Sequence, residues 1–280
     1  MQVPCSFEFF PPKTEAGIHK LKKEQLLLAS AKPDFFSVTY GAGGSTRDTT
    51  LDAVLSTRRY TGINTAPHLS CIGDEPEDIA QLLKIYQDNG INRLIALRGD
   101  LPSGMGLGRG TLKYAADLVR FIREQTGDHF HICVAAYPEV HPESSSGKAD
   151  LQHFKTKVEA GANSAITQYF YCADAYADFI DRCQTLSIDI PIIPGIMPIL
   201  NYQKLMRFST ACGADIPRWL SKRLQDLADD EPSLLAFGKD VVGELCQQLL
   251  DLDAPGLHFY TLNQAEPCLS IYQSLKGVLA

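Results

Sequence analysis

Short apolar or β-branched runs alternate along this chain with longer stretches of helical period, a pattern that predicts repeated strand–helix units around a parallel sheet. Eight strands are expected, over residues 3–10, 35–41, 65–71, 93–99, 132–137, 164–171, 191–196 and 257–262. Most successive strands start about 30 residues apart, the length of one strand, one helix and two loops, and that even spacing favours closure into a barrel. Helices are expected over 15–30, 46–59, 75–89, 111–126, 148–160, 173–186 and 264–278. The third opens on Asp74-Glu75-Pro76-Glu77, whose carboxylates suit the positive end of a helix dipole. Between the seventh and eighth strands the chain holds what read as three more helices and no strand, so this stretch is an elaborated unit and not a second domain. The chain 1–280 is therefore read as one α/β domain, a (β/α)8 TIM-type barrel.

An open doubly wound sheet is the competing fold, and it normally carries a glycine-rich turn after its first strand. Here the first strand runs into Phe9-Phe10-Pro11-Pro12. The glycines of Gly104-Met105-Gly106-Leu107-Gly108-Arg109-Gly110 follow the fourth strand with the wrong spacing, and read as a mobile loop.

Strands of a parallel barrel are almost wholly apolar, because helices cover the outside and packed side chains fill the inside. Polar exceptions are informative for that reason. They are Glu8, Thr39, His68, Arg98, Asp100, Tyr137, Glu139, His141, Gln168, Tyr260 and Asn263. Nearly all fall at or just past the C-terminal end of a strand, the face on which barrel enzymes place their sites. Glu8 stands among Phe7, Phe9 and Phe10, where burial is expected to raise its pKa and fit it to hold a proton near neutral pH. Structural alternatives stand beside these readings: Glu8 as a buried carboxylate paired with an arginine, Arg98 and Asp100 as a surface ion pair, His68 as a partner for a rim carbonyl, and Thr39 and Gln168 as bridges between strands.

Composition narrows the chemistry. The net charge of -7 argues against phosphate-backbone binding, so no nucleic-acid partner is expected, and Lys20, Lys22 and Lys23 read as a solvated helix face. Eight cysteines without a CxxC pair lie mostly in apolar runs and read as reduced thiols, which points to the cytoplasm. Residues 3–10 are not preceded by a basic run and no stretch of about 18 uninterrupted apolar residues occurs, so neither secretion nor membrane spanning is expected. His129 and His131 form an HxH at the start of the fifth strand, opposite the other polar groups, and no metal site is expected. No GxSxG elbow supports a serine triad, and no strand ends in the lysine that a Schiff-base aldolase needs.

Taken together, Ser6-Phe7-Glu8-Phe9-Phe10-Pro11-Pro12, Ser37-Val38-Thr39-Tyr40-Gly41-Ala42, Ala66-Pro67-His68-Leu69, Ala96-Leu97-Arg98-Gly99-Asp100, the run from Ala135 to Glu143, and His258-Phe259-Tyr260-Thr261-Leu262-Asn263 resemble the methylenetetrahydrofolate reductase family in its short bacterial form. The resemblance implies a barrel holding noncovalent FAD, reduced by NADH or NADPH, that reduces 5,10-methylenetetrahydrofolate to 5-methyltetrahydrofolate with ping-pong kinetics. It implies Glu8 as the acid that protonates folate and Asp100 as the charge beside the flavin that tunes its potential. Thr39, Tyr40, Ala42, His68, Arg98, Gly99, Asp100, Ala115, Tyr137, His141, Asp150 and Lys157 are implied in the flavin and nicotinamide pocket. Glu8, Thr39, Asp100, Gln168, Phe208 and Tyr260 are implied as substrate contacts. A homo-oligomer is the expected assembly. Gln264 departs from the family, which commonly carries arginine there, and so removes a charge-assisted contact if that arginine holds a folate carboxylate. The competing reading is a flavin- or folate-binding barrel with impaired catalysis.

Overall fold

A computed structural model describes residues 3–40, 46–72, 74–99 and 111–275. Ala42, Asp100 and the glycine-rich run 104–110 lie outside the described residues. In chain order the elements are β1 (Cys5–Phe9), α1 (Glu15–Ala29), β2 (Phe35–Val38), α2 (Thr46–Thr61), β3 (Thr65–Ser70), α3 (Pro76–Asp88), β4 (Arg93–Leu97), α4 (Ala115–Thr126), β5 (His131–Ala136), α5 (Gly147–Glu159), β6 (Ser164–Thr167), α6 (Ala173–Thr185), β7 (Ile192–Ile193), β8 (Gly195–Ile196), α7 (Tyr202–Cys212), α8 (Arg218–Asp226), α9 (Glu231–Asp251), β9 (Leu257–Tyr260) and α10 (Ala265–Ser274).

All strand pairs are parallel, in the order β7-β6-β5-β4-β3-β2-β1-β9-β8. The two ends of that order are successive pieces of one extended run, so the sheet curls into a nearly closed α/β barrel. The expected seventh strand, 191–196, is thus split at Pro194, which lacks the N–H to continue a ladder. Its halves face opposite neighbours: β7 pairs with β6, while β8 pairs with β9 and the Pro194 carbonyl accepts the His258 N–H at 3.0 Å. Every expected strand except the seventh stops short of its expected end, the second and sixth by the most, because the ladder gives out where the barrel opens at its C-terminal mouth. The three helices expected between the seventh and eighth strands are α7, α8 and α9.

Alternation along each strand sorts the side chains into two cores. Outward-facing Phe7, Phe9, Phe36 and Phe259 pack beneath the helices, with Phe7 stacked on Phe259 at 5.3 Å and Phe9 edge-on to Phe36 at 5.2 Å. Inside the barrel a small apolar cluster of Phe35, Ala66, Ile95, Cys133 and Ile166 fills the middle. The acidic opening of α3 appears as expected, with Pro76, Glu77 and Asp78 in its first turn. Of the cysteines, six are buried, Cys212 is partly so and Cys172 is exposed, and all eight are free thiols. Among the described residues no helix is long and apolar enough to cross a membrane.

Arg123, near the end of α4, ties the lower rim together. Its guanidinium donates to the carbonyls of Gly127, Phe130 and Gly161 and to Asn163 Oδ1, at 2.6 to 3.1 Å. Asn163 Oδ1 also accepts the Ile132 N–H at 2.8 Å, so one cation organises the entries to β5 and β6. Hydrogen bonds to a charged group contribute about 1.5–3 kcal/mol each, without full additivity. Arg123→Met is expected to cost about 3 kcal/mol by denaturant unfolding, and a loss under about 1 kcal/mol would show that water replaces these bonds.

Candidate active site

Parallel register brings three distant segments into one inward-facing layer. On β1, Ser6 and Glu8 point inward two residues apart, opposite His258 and Tyr260 of β9, which pair with them residue for residue. His68 on β3 completes the group. Glu8 Oε2 lies 3.3 Å from His68 Nε2 and 3.8 Å from His258 Nε2. Behind it, Ser6 Oγ is 2.7 Å from His258 Nδ1, fixing the imidazole, which also stacks on Phe35 at 5.9 Å. The Glu8 side chain remains 19% exposed, so the carboxylate opens to the barrel mouth while His258 is sealed beneath it. Tyr260 stands edge-on to His258 at 5.5 Å and donates its hydroxyl to the Thr167 carbonyl at 2.7 Å.

Electrostatics here correct the sequence expectation for Glu8. Burial pushes its pKa up and is the largest influence, but the His258 imidazole and the charges of His68 and His258 together hold it below the ordinary carboxylate value. The phenylalanines beside Glu8 in sequence point to the opposite face of the sheet, so its neighbours in space are imidazoles. Among the described residues the ion-pair partners at Glu8 are histidines, not the arginine of the structural alternative. Burial lowers the His68 pKa, opposed by Glu8 and assisted by His258.

A second polar group lines the rim from β4 to α5. Arg98 donates to both oxygens of Glu143, at 2.5 and 2.9 Å. The Glu143 N–H reaches His141 Nδ1 at 3.0 Å, the His141 N–H reaches Asp150 Oδ2 at 3.1 Å, and Ser144 Oγ donates to Asp150 Oδ1 at 2.9 Å. The Tyr137 and His141 rings meet edge to face at 4.5 Å. Lys157 donates from Nζ to the Ala135 carbonyl at 2.5 Å, and burial pushes its pKa down to about 8 against the pull of Asp150 and Cys133. An ammonium has three donors, so this half-buried cation, which gives one to a carbonyl and lies over the Phe154 ring at 5.5 Å, suits an anion such as a phosphate. Burial also lowers the His141 pKa, against Asp150 and Glu143.

The remaining expected residues sit around the same mouth without joining either group. The Thr39 N–H donates to the Phe9 carbonyl at 2.8 Å, and the Tyr40 hydroxyl to Asp74 at 3.2 Å. Gly99 turns the chain after β4 with φ 88°, and Ala115 begins α4. Gln168 folds its amide oxygen back onto the Tyr169 N–H at 3.0 Å. Phe208 is 45% exposed on α7. Asn263 clips the chain after β1 by exchanging bonds with the Phe10 N–H and carbonyl, at 3.0 and 2.9 Å, and Gln264 follows as the residue before α10. The sequence reading did not single out Ser6 and His258. Period two from Glu8 and from Tyr260 would have found both, since residues two apart on a strand share its inward face.

Fold and site define a (β/α)8 barrel with a carboxylate–imidazole cluster at the C-terminal mouth and a rim of paired charges beside it. Residues 1–276 match the sequence profile of methylenetetrahydrofolate reductase, and the chain belongs to that family. It is 41% identical over 274 residues to the 5,10-methylenetetrahydrofolate reductase of Escherichia coli, covering 98% of this chain and 91% of the relative. It is 38% identical over 286 residues to methylenetetrahydrofolate reductase (NADH) 1 of Arabidopsis thaliana, covering 98% of this chain but 48% of that longer protein. Among solved structures, an uncharacterized Clostridium thermocellum protein that binds two copies of 5-methyl-5,6,7,8-tetrahydrofolic acid shares the fold, with TM-score 0.70 at 16% identity over 99% of this chain and 96% of that one.

Proposed function

We propose that this chain is a single-domain cytoplasmic flavoenzyme that reduces 5,10-methylenetetrahydrofolate to 5-methyltetrahydrofolate, drawing electrons from NADH or NADPH through bound FAD in two alternating half-reactions. The observation that carries the reading is Glu8 at the mouth, 3.3 Å from His68 and backed by His258 and Ser6, in a chain of this family. The name of the Arabidopsis relative supports NADH as one donor.

The rim residues fit a dinucleotide cofactor. Lys157 and Arg98 would take the pyrophosphate, with Thr39, Tyr40, Ala42, His68, Gly99, Asp100, Ala115, Tyr137, His141 and Asp150 around the rest. Flavin bound there would supply hydride chemistry. The chain's own part is to hold substrate and move one proton. With no substrate present the imidazoles favour the Glu8 carboxylate. A flat aromatic substrate that covers the exposed edge of Glu8 adds to the burial influence, which already pushes upward, and brings its proton affinity toward that of a usable acid. Gln168, Tyr260 and Phe208 would hold the substrate, and Asp100 would place negative charge beside the flavin.

Anaerobic stopped-flow at the flavin absorbance tests this directly: NADH or NADPH should bleach a yellow protein, and methylenetetrahydrofolate should restore the colour. A protein that stays colourless with added FAD overturns the reading, whereas bleaching without folate turnover marks a flavin-binding barrel with impaired catalysis. Lys157→Met is expected to weaken FAD binding about 10- to 100-fold by fluorescence titration, as one charge-assisted bond of about 1.5–3 kcal/mol is lost. Unchanged affinity would remove Lys157 from the pocket.

A further inference from the structure

Helix α7 lies along the rim, above the end of β6. Tyr169, just past β6, meets Ser209 through hydroxyls 3.0 Å apart and receives the Cys212 thiol at 3.4 Å, while its ring stands 6.4 Å from that of Tyr260 inside the mouth. The far end of α7 rests on the loop between β5 and α5. Glu139 Oε2 accepts the Asp215 N–H at 2.8 Å, and Gly213 packs so closely on Pro142 that an added Cβ would come within 2.4 Å of Pro142 Cγ. That loop also carries Tyr137, His141 and Glu143, the rim group tied to Arg98. Glu139 is partly buried, and burial raises its pKa against the pull of the Asp215 N–H, with the Asp215 carboxylate adding to the rise. Among the described residues the one hydrogen-bond partner of Glu139 is this backbone donor at the far end of α7, a placement that suits a tether.

We propose that Glu139 is a positioning residue that clamps the C-terminal end of α7 to the β5–α5 loop, so that the helix bearing Phe208 and the loop bearing Tyr137 and His141 move as one body. A ligand that orders the loop then also orders α7, and the half of the mouth that takes the cofactor prepares the half that takes folate. This consequence rests on the functional reading above, whereas the clamp itself does not.

Two substitutions at Glu139 separate the tether from bulk and charge. Gln keeps an oxygen that accepts the Asp215 N–H, and Ala removes it. In the ligand-free chain, hydrogen exchange of amides in 205–215 is expected to run at least about tenfold faster in Glu139→Ala and near the natural rate in Glu139→Gln. In turnover, Glu139→Ala should raise the KM for methylenetetrahydrofolate about tenfold while the rate of flavin reduction by NADH stays within about twofold, and Glu139→Gln should restore the KM. Unchanged exchange in Glu139→Ala, or a Glu139→Gln variant as impaired as Glu139→Ala, overturns the clamp. Equal losses in both half-reactions overturn the coupling. Should Glu139→Ala not fold, Asp215→Asn keeps the donor and removes the like charge; its α7 amides should exchange no faster than the natural chain's, and faster exchange counts against the proposal. Exchange needs no turnover, so a chain without reductase activity would sink the functional reading and leave the clamp to be judged alone.

Discussion

Glu8→Gln is expected to lower folate reduction by about 10²- to 10⁴-fold, the range for loss of a general acid, while flavin reduction by NADH or NADPH stays within about twofold of the natural rate. Glutamine has the shape of glutamate, can occupy the same place beside His68 and His258, and cannot carry the proton. Because the first half-reaction needs no proton from Glu8, the two rates should part. Stopped-flow on each half-reaction measures both, and intact folate turnover would mean that the acid lies elsewhere. The substitution has a second signature in stability. A carboxylate whose folded pKa is depressed contributes stability that is present above its unfolded pKa and lost as pH falls through the folded one. Glu8→Gln removes that contribution, so its unfolding midpoint should fall less steeply than the natural chain's below about pH 4.5.

Gly195→Ala is expected to damage the fold itself. Gly195 opens β8, at the point where the split seventh run crosses from one neighbour to the other. A Cβ there would stand 2.2 Å from the Thr167 carbonyl oxygen and 2.6 Å from the Tyr260 ring. Neither can yield cheaply: that carbonyl accepts the Tyr260 hydroxyl at 2.7 Å, and Thr167 Oγ1 accepts the Gly195 N–H at 2.9 Å. Overpacking a buried site costs about 1–3 kcal/mol, and a clash with backbone belongs at the upper end or beyond. At about 2–4 °C per kcal/mol for a chain of this size, calorimetry should show Tm lowered by roughly 6–12 °C. A Tm within about 2 °C of the natural chain's would show that the closure is looser than the contacts imply.

Much of this fold was legible along the chain because burial imposes a period. Strands covered on both faces read as apolar runs, helices as runs of longer period, and their alternation leads to the barrel. Pro194 was equally visible, yet its consequence was not: that one run serves two neighbours follows from closure, a property of the whole ring. The polar residues at strand ends could likewise be placed on one face in advance, since every parallel strand opens toward the same mouth. Asp100 and Ala42 stay where the sequence left them, outside the described residues.

By itself, the sequence determined that polar groups would gather at the C-terminal ends of the strands and that Glu8 would be among them. Only the tertiary structure decided which groups meet. Residues 6, 8, 68 and 258 come together because β1 lies between β2 and β9 in register, a pairing that joins the first and last strands of the chain. The same register sends Phe7 and Phe9 outward and two imidazoles toward Glu8, which reverses the direction of its pKa from the one its neighbours in sequence suggest. Periodicity is local and survives in one dimension, whereas a charge responds to whatever the fold brings within a few ångströms of it.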